Sequence, residues 1–363
     1  MTQLESGSGT PPLPNPAELN IREFDAYALV IDARSPREFA EDHLPNAVNL
    51  PVVDNDEYAE VGTLHKHDTH EAYLIGVQYS LANISEHIRQ LIGKYKKTDR
   101  MLVYCFRGGK RSKLWADNLR TIGFQVDVLS GGWKNYRRWV RASLETLPQQ
   151  LHLRVLTGST GCGKTRLLHA LANAGQQVLD LEALASHRGS LIGAVPGHAQ
   201  PSQKLFDSMV LDVLRRFDPA RPIWLEAESK KIGNLQLPEA LHEAMHRTTP
   251  LRVSAPMPER VRLWREDYAH FTQDPGGMVE KLAPLKPMIG GEELERWRAL
   301  AAAGQVDALF ERVMTTHYDP CYERSTRRSY KTVDSGLAIE LPCLAPENLA
   351  AVARDLAARF GHA

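Results

Sequence analysis

Leu153-Arg-Val-Leu-Thr157 runs directly into Gly158-Ser159-Thr160-Gly161-Cys162-Gly163-Lys164-Thr165, and an amphipathic stretch to about residue 174 follows. No other feature restricts the fold so tightly. The eight residues match G-x-x-x-x-G-K-[ST] at every fixed position, and the motif has its meaning only between a strand and a helix. Its backbone amides would cradle a phosphate, and the helix adds its positive end. Lys164 would neutralise a terminal phosphate, and Thr165 could hold Mg²⁺. Cys162 reads as a small filler. Further strands are expected at 177–181, 222–225 and 252–254, and the chain turns helical from Pro258 on. The strand that should end in Asp in a nucleotide hydrolase instead reads Ile223-Trp-Leu-Glu226-Ala-Glu228. The loop is therefore expected to hold a diphosphate without hydrolysing ATP.

A second anion loop lies upstream. Residues 101–105 (Met-Leu-Val-Tyr-Cys) read as a buried strand, and Cys105 is followed by Phe106-Arg107-Gly108-Gly109-Lys110-Arg111-Ser112. The glycines let amides turn inward to form a nest, and a helix from Lys110 contributes its dipole. Arg107, Lys110 and Arg111 add full charges. Such surroundings lower a thiol pKa and make the thiolate a nucleophile. Strands at 29–33 and 125–129 flank this region. Ser35-Pro36-Arg37-Glu38 opens a helix, with Ser35 as cap and Glu38 closing a capping box. Gly131-Gly132 breaks the chain before a helix over 133–147. Alternating strands and helices imply mostly parallel sheets.

Other segments say less. The insertion 52–80 contains His65-Lys-His67-Asp68-Thr-His70-Glu71 and reads as a solvated loop rather than a metal site. Asp180, Glu182 and Arg188, with Glu226, suit a substrate-facing position, while helix capping explains Asp180 and Glu182 equally well. Arg137, Arg138, Arg141, Arg262, Arg265, Arg327 and Arg328 are candidate RNA contacts. Trp133, Tyr136, Trp139, Trp264, Tyr268 and Tyr330 lie beside basic residues and suit splayed bases.

Lys+Arg and Asp+Glu both number 44, so no global field attracts nucleic acid and any RNA contact must be local. The four cysteines have no paired spacing, which argues against a disulfide framework or zinc ribbon and for a reducing compartment. The N-terminus lacks the pattern of a secretory signal, and no apolar run is long enough to span a membrane. A cytoplasmic protein is expected, with a flexible tail at 1–15, one domain at 16–142 and another at 143–363.

Ile31-Asp-Ala-Arg-Ser-Pro-Arg-Glu-Phe39, His43-Leu-Pro-Asn-Ala-Val-Asn-Leu-Pro51 and the Cys105 loop together resemble a rhodanese domain over about 15–140. Arg111 stands six residues after Cys105, where simple sulfurtransferases have arginine at five. The longer spacing resembles a dual-specificity phosphatase loop and suggests room for a larger, phosphate-type or selenium-bearing anion. With Ser130-Gly-Gly-Trp-Lys134, the P-loop, Asp180-Leu-Glu-Ala-Leu-Ala-Ser-His-Arg-Gly-Ser190 and His317-Tyr-Asp-Pro320, the chain resembles the bacterial tRNA 2-selenouridine synthase family. That resemblance implies a rhodanese-like parallel-sheet domain followed by a P-loop NTPase/kinase-like α/β domain with a helical C-terminal part. It implies a transferase acting on tRNA with 2-thiouridine at the wobble position. The thiocarbonyl sulfur is first prenylated from geranyl diphosphate, and selenophosphate then delivers selenium as the geranylthio group leaves. No tightly bound cofactor is expected. Cys105 either attacks selenium or positions selenophosphate, and geranyl diphosphate is assigned to the P-loop. Competing readings are a small-molecule kinase with a rhodanese domain, a phosphatase using the longer Cys105 loop, and a sulfur-relay module.

Overall fold

The computed structural model describes residues 13–361. Residues 1–12 of the expected tail lie outside the described residues. Asn15 caps a short helical turn, Pro16–Leu19.

The described residues up to Leu147, with Pro201–Arg215, form one compact unit, and Pro148–Gln200 with the chain from Arg216 onward form another. The first unit contains β1 (Leu29–Asp32), α1 (Pro36–Glu41), β2 (Ala47–Asn49), α2 (Asn55–Leu64), α3 (Thr69–Gln90), β3 (Arg100–Tyr104), α4 (Lys110–Ile122), β4 (Gln125–Val128) and α5 (Gly132–Thr146). Its four strands are parallel in the order β2-β1-β3-β4. β1 is buried at all four residues, as a parallel strand covered on both faces should be. The order reverses between β1 and β3, so the carboxyl ends of these strands open a crevice suited to ligands.

The expected loop at 52–80 is instead the helical pair α2 and α3. Asp54 accepts from the amides of Asp56 and Glu57, and Asp68 from those of His70 and Glu71, so both helices begin on side-chain caps. Among the described residues, no group of three His, Cys, Asp or Glu side chains could hold a metal ion.

Asp32 is wholly buried and receives the Arg34 guanidinium at 2.6 Å and the Tyr104 hydroxyl at 2.6 Å. Arg34 also donates to the Asp42 carbonyl. Removing one member of such a pair strands a buried charge. Arg34→Ala is expected to cost about 3–5 kcal/mol in urea unfolding. A loss below about 1 kcal/mol would contradict this account of the pair.

In the second unit, β5 (Leu153–Thr157) leads through the phosphate loop into α6 (Lys164–Asn173), β6 (Gln177–Val178) and α7 (Leu181–Ala185). β6 is shorter than the expected 177–181. Asp180 accepts from the Ala183 amide and starts α7 there. The chain then contributes α8 (Gln203–Leu214) to the first unit. α8 buries Phe206, Val210, Leu211 and Leu214, and Arg137 of α5 donates to the Ser208 hydroxyl at 3.0 Å. The expected boundary at 142/143 thus falls inside α5, and the first unit also includes a segment from beyond it.

The second unit resumes with β7 (Ile223–Glu226), the hairpin β8 (Lys231–Ile232) and β9 (Leu235–Gln236), α9 (Glu239–His246) and β10 (Leu251–Ser254). A helical region follows: α10 (Met257–Asp267), α11 (Ala269–Gln273), α12 (Pro275–Leu282), α13 (Lys286–Ile289), α14 (Gly291–Ala302), α15 (Val306–Val313), a π turn at Met314–Tyr318, and α16 (Asp319–Ser329). β11 (Ala338–Glu340) and α17 (Pro346–Phe360) close the unit. The sheet is parallel in the order β11-β10-β5-β7-β6. Among the described residues no helix is long and apolar enough to cross a membrane.

Candidate functional site

Cys105 follows β3 directly, at the carboxyl edge where the strand order reverses. Its sulfur lies 3.2 Å from the Ser112 hydroxyl, in the first turn of α4. Burial pushes the thiol pKa up. The Ser112 hydroxyl and amide, the Arg111 charge and the Arg107 amide together outweigh it, and the net shift is downward. The Ser130-Gly-Gly-Trp segment holds this loop from behind: the Trp133 amide donates to the Cys105 carbonyl at 2.8 Å. Gly132 has φ +58°, and a Cβ there would sit 2.2 Å from that carbonyl oxygen, so only glycine fits.

The three expected cations are present but not all aimed at the thiol. Arg111 forms an ion pair with Glu38 at 2.7 Å, which holds the Glu38 carboxyl below its ordinary range despite burial. Lys110 lies 3.4 Å from the centroid of Tyr73, and Arg111 lies 5.6 Å from that of Tyr58. These rings come from α3 and α2, and their faces attract cations. Arg107 is exposed and packs over Phe106. Sequence reasoning missed Ser112, Tyr58 and Tyr73 here, and read Glu38 only as a capping residue.

The phosphate loop leaves β5 at Gly158, where a Cβ would lie 2.1 Å from the Val253 carbonyl oxygen of β10. Lys164 donates to the carbonyls of Gly158 at 2.8 Å and Ser159 at 3.3 Å. Burial works against its charge, but the surroundings formed by Cys162, Tyr322, Glu226 and Glu182 keep it protonated. Cys162 is buried and its thiol pKa is raised by that burial, consistent with a filler. Arg260 braces the loop, donating to the Thr160 carbonyl at 2.9 Å and pairing with Asp319 at 2.6 Å. Asp319 belongs to the His317-Tyr-Asp-Pro320 motif, so that motif supports the loop through Arg260.

The loop opens on a cavity of about 850 Å³, within the range of small-molecule sites. Gly161, Gly163, Lys164 and Thr165 line one part of it; Glu182, Glu226 and Glu228 line another. Tyr268, Tyr318, Tyr322 and Tyr330 add aromatic surface. The Thr165 hydroxyl lies on the cavity beside the Glu226 carboxyl, and such an oxygen suits a Mg²⁺ that keeps most of its shell from phosphate and water. Arg188 also lines the cavity, stacked over Tyr268 and bonded to the Asp267 carbonyl. Asp180 and Glu182 divide the two roles left open by the sequence. Asp180 caps α7 and meets His169 at 2.7 Å, whereas Glu182 reaches the cavity.

Burial, then the charges of Glu226 and Glu228, push Glu182 up to about 9. Burial, then Glu226, pushes Glu228 up to about 8. Glu226 is also raised by burial, against Lys164 and the Thr165 hydroxyl. The native chain therefore keeps protons that the unfolded chain gives up above about pH 4.5. The ligand-free protein should lose stability as pH rises from that value towards 8 and 9. Glu182→Gln is expected to flatten this slope in denaturant midpoints taken at several pH values. An unchanged slope would contradict the assignment.

The expected RNA contacts are mostly engaged within their own units. Arg137 is buried against Asp207, Ser208 and the Lys204 carbonyl, and is withdrawn from that set. Arg262 pairs with Glu259 and Glu266, Arg265 with Asp307, and Arg327 with Glu323 and Asp334. Arg138 bonds to Asn135; Arg141 and Arg328 are exposed, and Arg328 lines the cavity. Trp133, Tyr136, Trp139, Trp264, Tyr268 and Tyr330 are all buried, so they do not form an open stacking platform. Their hydrophobic area is used in packing, which the basic neighbours in sequence conceal.

A family model described as the tRNA 2-selenouridine synthase AAA domain matches residues 151–281, and a rhodanese-like domain model matches 16–138. The tRNA 2-selenouridine synthase of Nitrosomonas europaea is 34% identical over 287 residues, covering 76% of this chain and 73% of its own. Its counterpart from Hydrogenovibrio crunogenus is 32% identical over 339 residues, covering 84% and 91%. That of Aeromonas salmonicida is 33% identical over 327 residues, covering 81% and 86%.

Proposed function

The chain belongs to the tRNA 2-selenouridine synthase family, and from that premise we propose that it modifies tRNA in two steps, one at each anion loop. In the first, the thiocarbonyl sulfur of a wobble 2-thiouridine attacks carbon 1 of geranyl diphosphate. The carbon–oxygen bond breaks and diphosphate leaves with its electron pair. Lys164 and the loop amides stabilise the charge that develops on the leaving group, in the manner of a preorganised oxyanion site. Thr165 would hold a Mg²⁺ ion, which when bound draws charge from the diphosphate. In the second step, the selenium of selenophosphate held at the Cys105 loop bonds to carbon 2 as the geranylthio group leaves with its electron pair, and water then breaks the selenium–phosphorus bond and releases phosphate. Alkylation matters because an S-alkyl isothiourea carries a better leaving group than a thione. Action on tRNA would set the work in the cytoplasm.

One observation carries this reading. The chain has two anion loops on two sheets, one presenting a thiol of lowered pKa and the other opening on a cavity with a protonated lysine. A kinase needs only the second, and a sulfur relay or phosphatase only the first. The test is mass analysis of nucleosides from 2-thiouridine-containing tRNA incubated with protein, omitting each small molecule in turn. Geranyl diphosphate alone should give the geranylated nucleoside, and both co-substrates the selenium nucleoside. Unchanged nucleosides from folded protein would overturn the reading.

A further inference from the structure

Glu182 in α7 and Glu228 after β7 come from distant parts of the chain, yet both carboxylates approach Gly189. A Cβ on that glycine would lie 3.1 Å from a Glu228 oxygen and 3.4 Å from a Glu182 oxygen. Burial first, and neighbouring carboxylates second, raise both. Two deeper oxygen atoms on the same cavity lack a hydrogen-bond partner. Glu226 is 7% exposed and its Oε1 has no hydrogen-bond partner; Tyr330 is 3% exposed and its hydroxyl has none. Folded chains rarely leave such groups unsatisfied, because a buried polar atom without a partner forfeits its hydration. Several around one cavity point to a polar ligand beside the phosphate loop.

Sulfur alkylation creates a proton that must go somewhere. As sulfur bonds to the allylic carbon, the thiouracil ring becomes cationic unless N3–H is lost. The N–H electron pair then becomes the N3–C2 double bond, and the proton needs an acceptor. Lys164 is already protonated and cannot take it. We propose that the Glu182–Glu228 pair accepts the N3 proton while the sulfur is alkylated, an inference that rests on the geranylation step above. The pair acts once one member has released its own proton, a form that becomes abundant as pH nears 8; that carboxylate takes the N3 proton, diphosphate takes the carbon–oxygen electron pair, and the ring leaves neutral.

The electrostatics favour this role. Lys164, Asp180, Glu226, Tyr268, Tyr322 and Tyr330 face the pair from the surrounding elements. Burial and like charge make the carboxylates far more basic than ordinary ones. A general base works best when its pKa lies near the working pH and near that of the proton it removes. A thiouracil imide ionises in the weakly alkaline range, so the match is close.

The experiment measures single-turnover geranylation of 2-thiouridine tRNA by wild type, Glu182→Gln and Glu228→Gln across pH, with thermal midpoints as a folding control. Near pH 8, where one member of the pair has ionised, the variants should be slower by about 10²–10³-fold, with KM for geranyl diphosphate little changed. Their deficit should shrink as pH rises and the ring ionises unaided. A merely structural role would give a deficit that does not change with pH. That result, or variants at the wild-type rate, would overturn the inference while the geranylation reading stands. A wild-type protein that does not geranylate would remove both.

Discussion

Lys164→Ala is expected to slow tRNA geranylation by about 10³-fold without unfolding the protein. The ammonium sits at the start of α6, over the carbonyls of Gly158 and Ser159 and 5.0 Å from the Tyr322 ring. Arg188 and Arg328 also line the cavity, but Arg188 is bonded to the Asp267 carbonyl and Arg260 is committed to Asp319 and the Thr160 carbonyl, so Lys164 is the cation that belongs to the loop itself. The effect should fall on the chemical step, because charge builds on diphosphate only as the carbon–oxygen bond breaks. Nucleoside mass analysis over a time course measures it. A variant that geranylates at the normal rate would remove the P-loop from the first step.

Cys105→Ala should have the opposite signature. Geranylation should continue, the S-geranylated nucleoside should accumulate, and selenium incorporation should fall by about 10³-fold or more, as when a group that acts as part of a unit is removed. The thiol is buried beside Ser112, the loop amides and the Arg111 charge, and its loss leaves the Arg34–Asp32 pair in place. The change is a small one for packing, and thermal midpoints should move little. Equal loss of both steps would mean that Cys105 is not confined to selenium delivery.

Much of this was legible before the coordinates. Local chemistry that repeats in a short window was read well: strand, glycine loop and helix at 153–173, and the strand before Cys105. The insertion was read as a loop, although Asp54 with Glu57 forms a capping box and Asp68 caps α3. Those signals lie among polar residues with weak periodicity, beside a cluster of histidines. Other features could not have been read. The Glu38–Arg111 pair joins residues 73 apart, and the Arg137–Ser208 bond joins residues 71 apart. Whether an arginine faces solvent or a buried carboxylate depends on such pairings, and so does the approach of Glu182 and Glu228 to Gly189. The exchange of α8 into the first unit is of the same kind, since a helix between two strands of one sheet normally packs on that sheet.

If the two loops carry separate steps, the second can run without the first. Lys164→Ala protein is given tRNA that is already S-geranylated, together with selenophosphate, and selenouridine is measured. Selenium incorporation should proceed at close to the wild-type rate, because the damaged loop has no part in the second step. Failure of this variant on the finished intermediate, with the protein folded, would contradict the division of labour between Lys164 and Cys105.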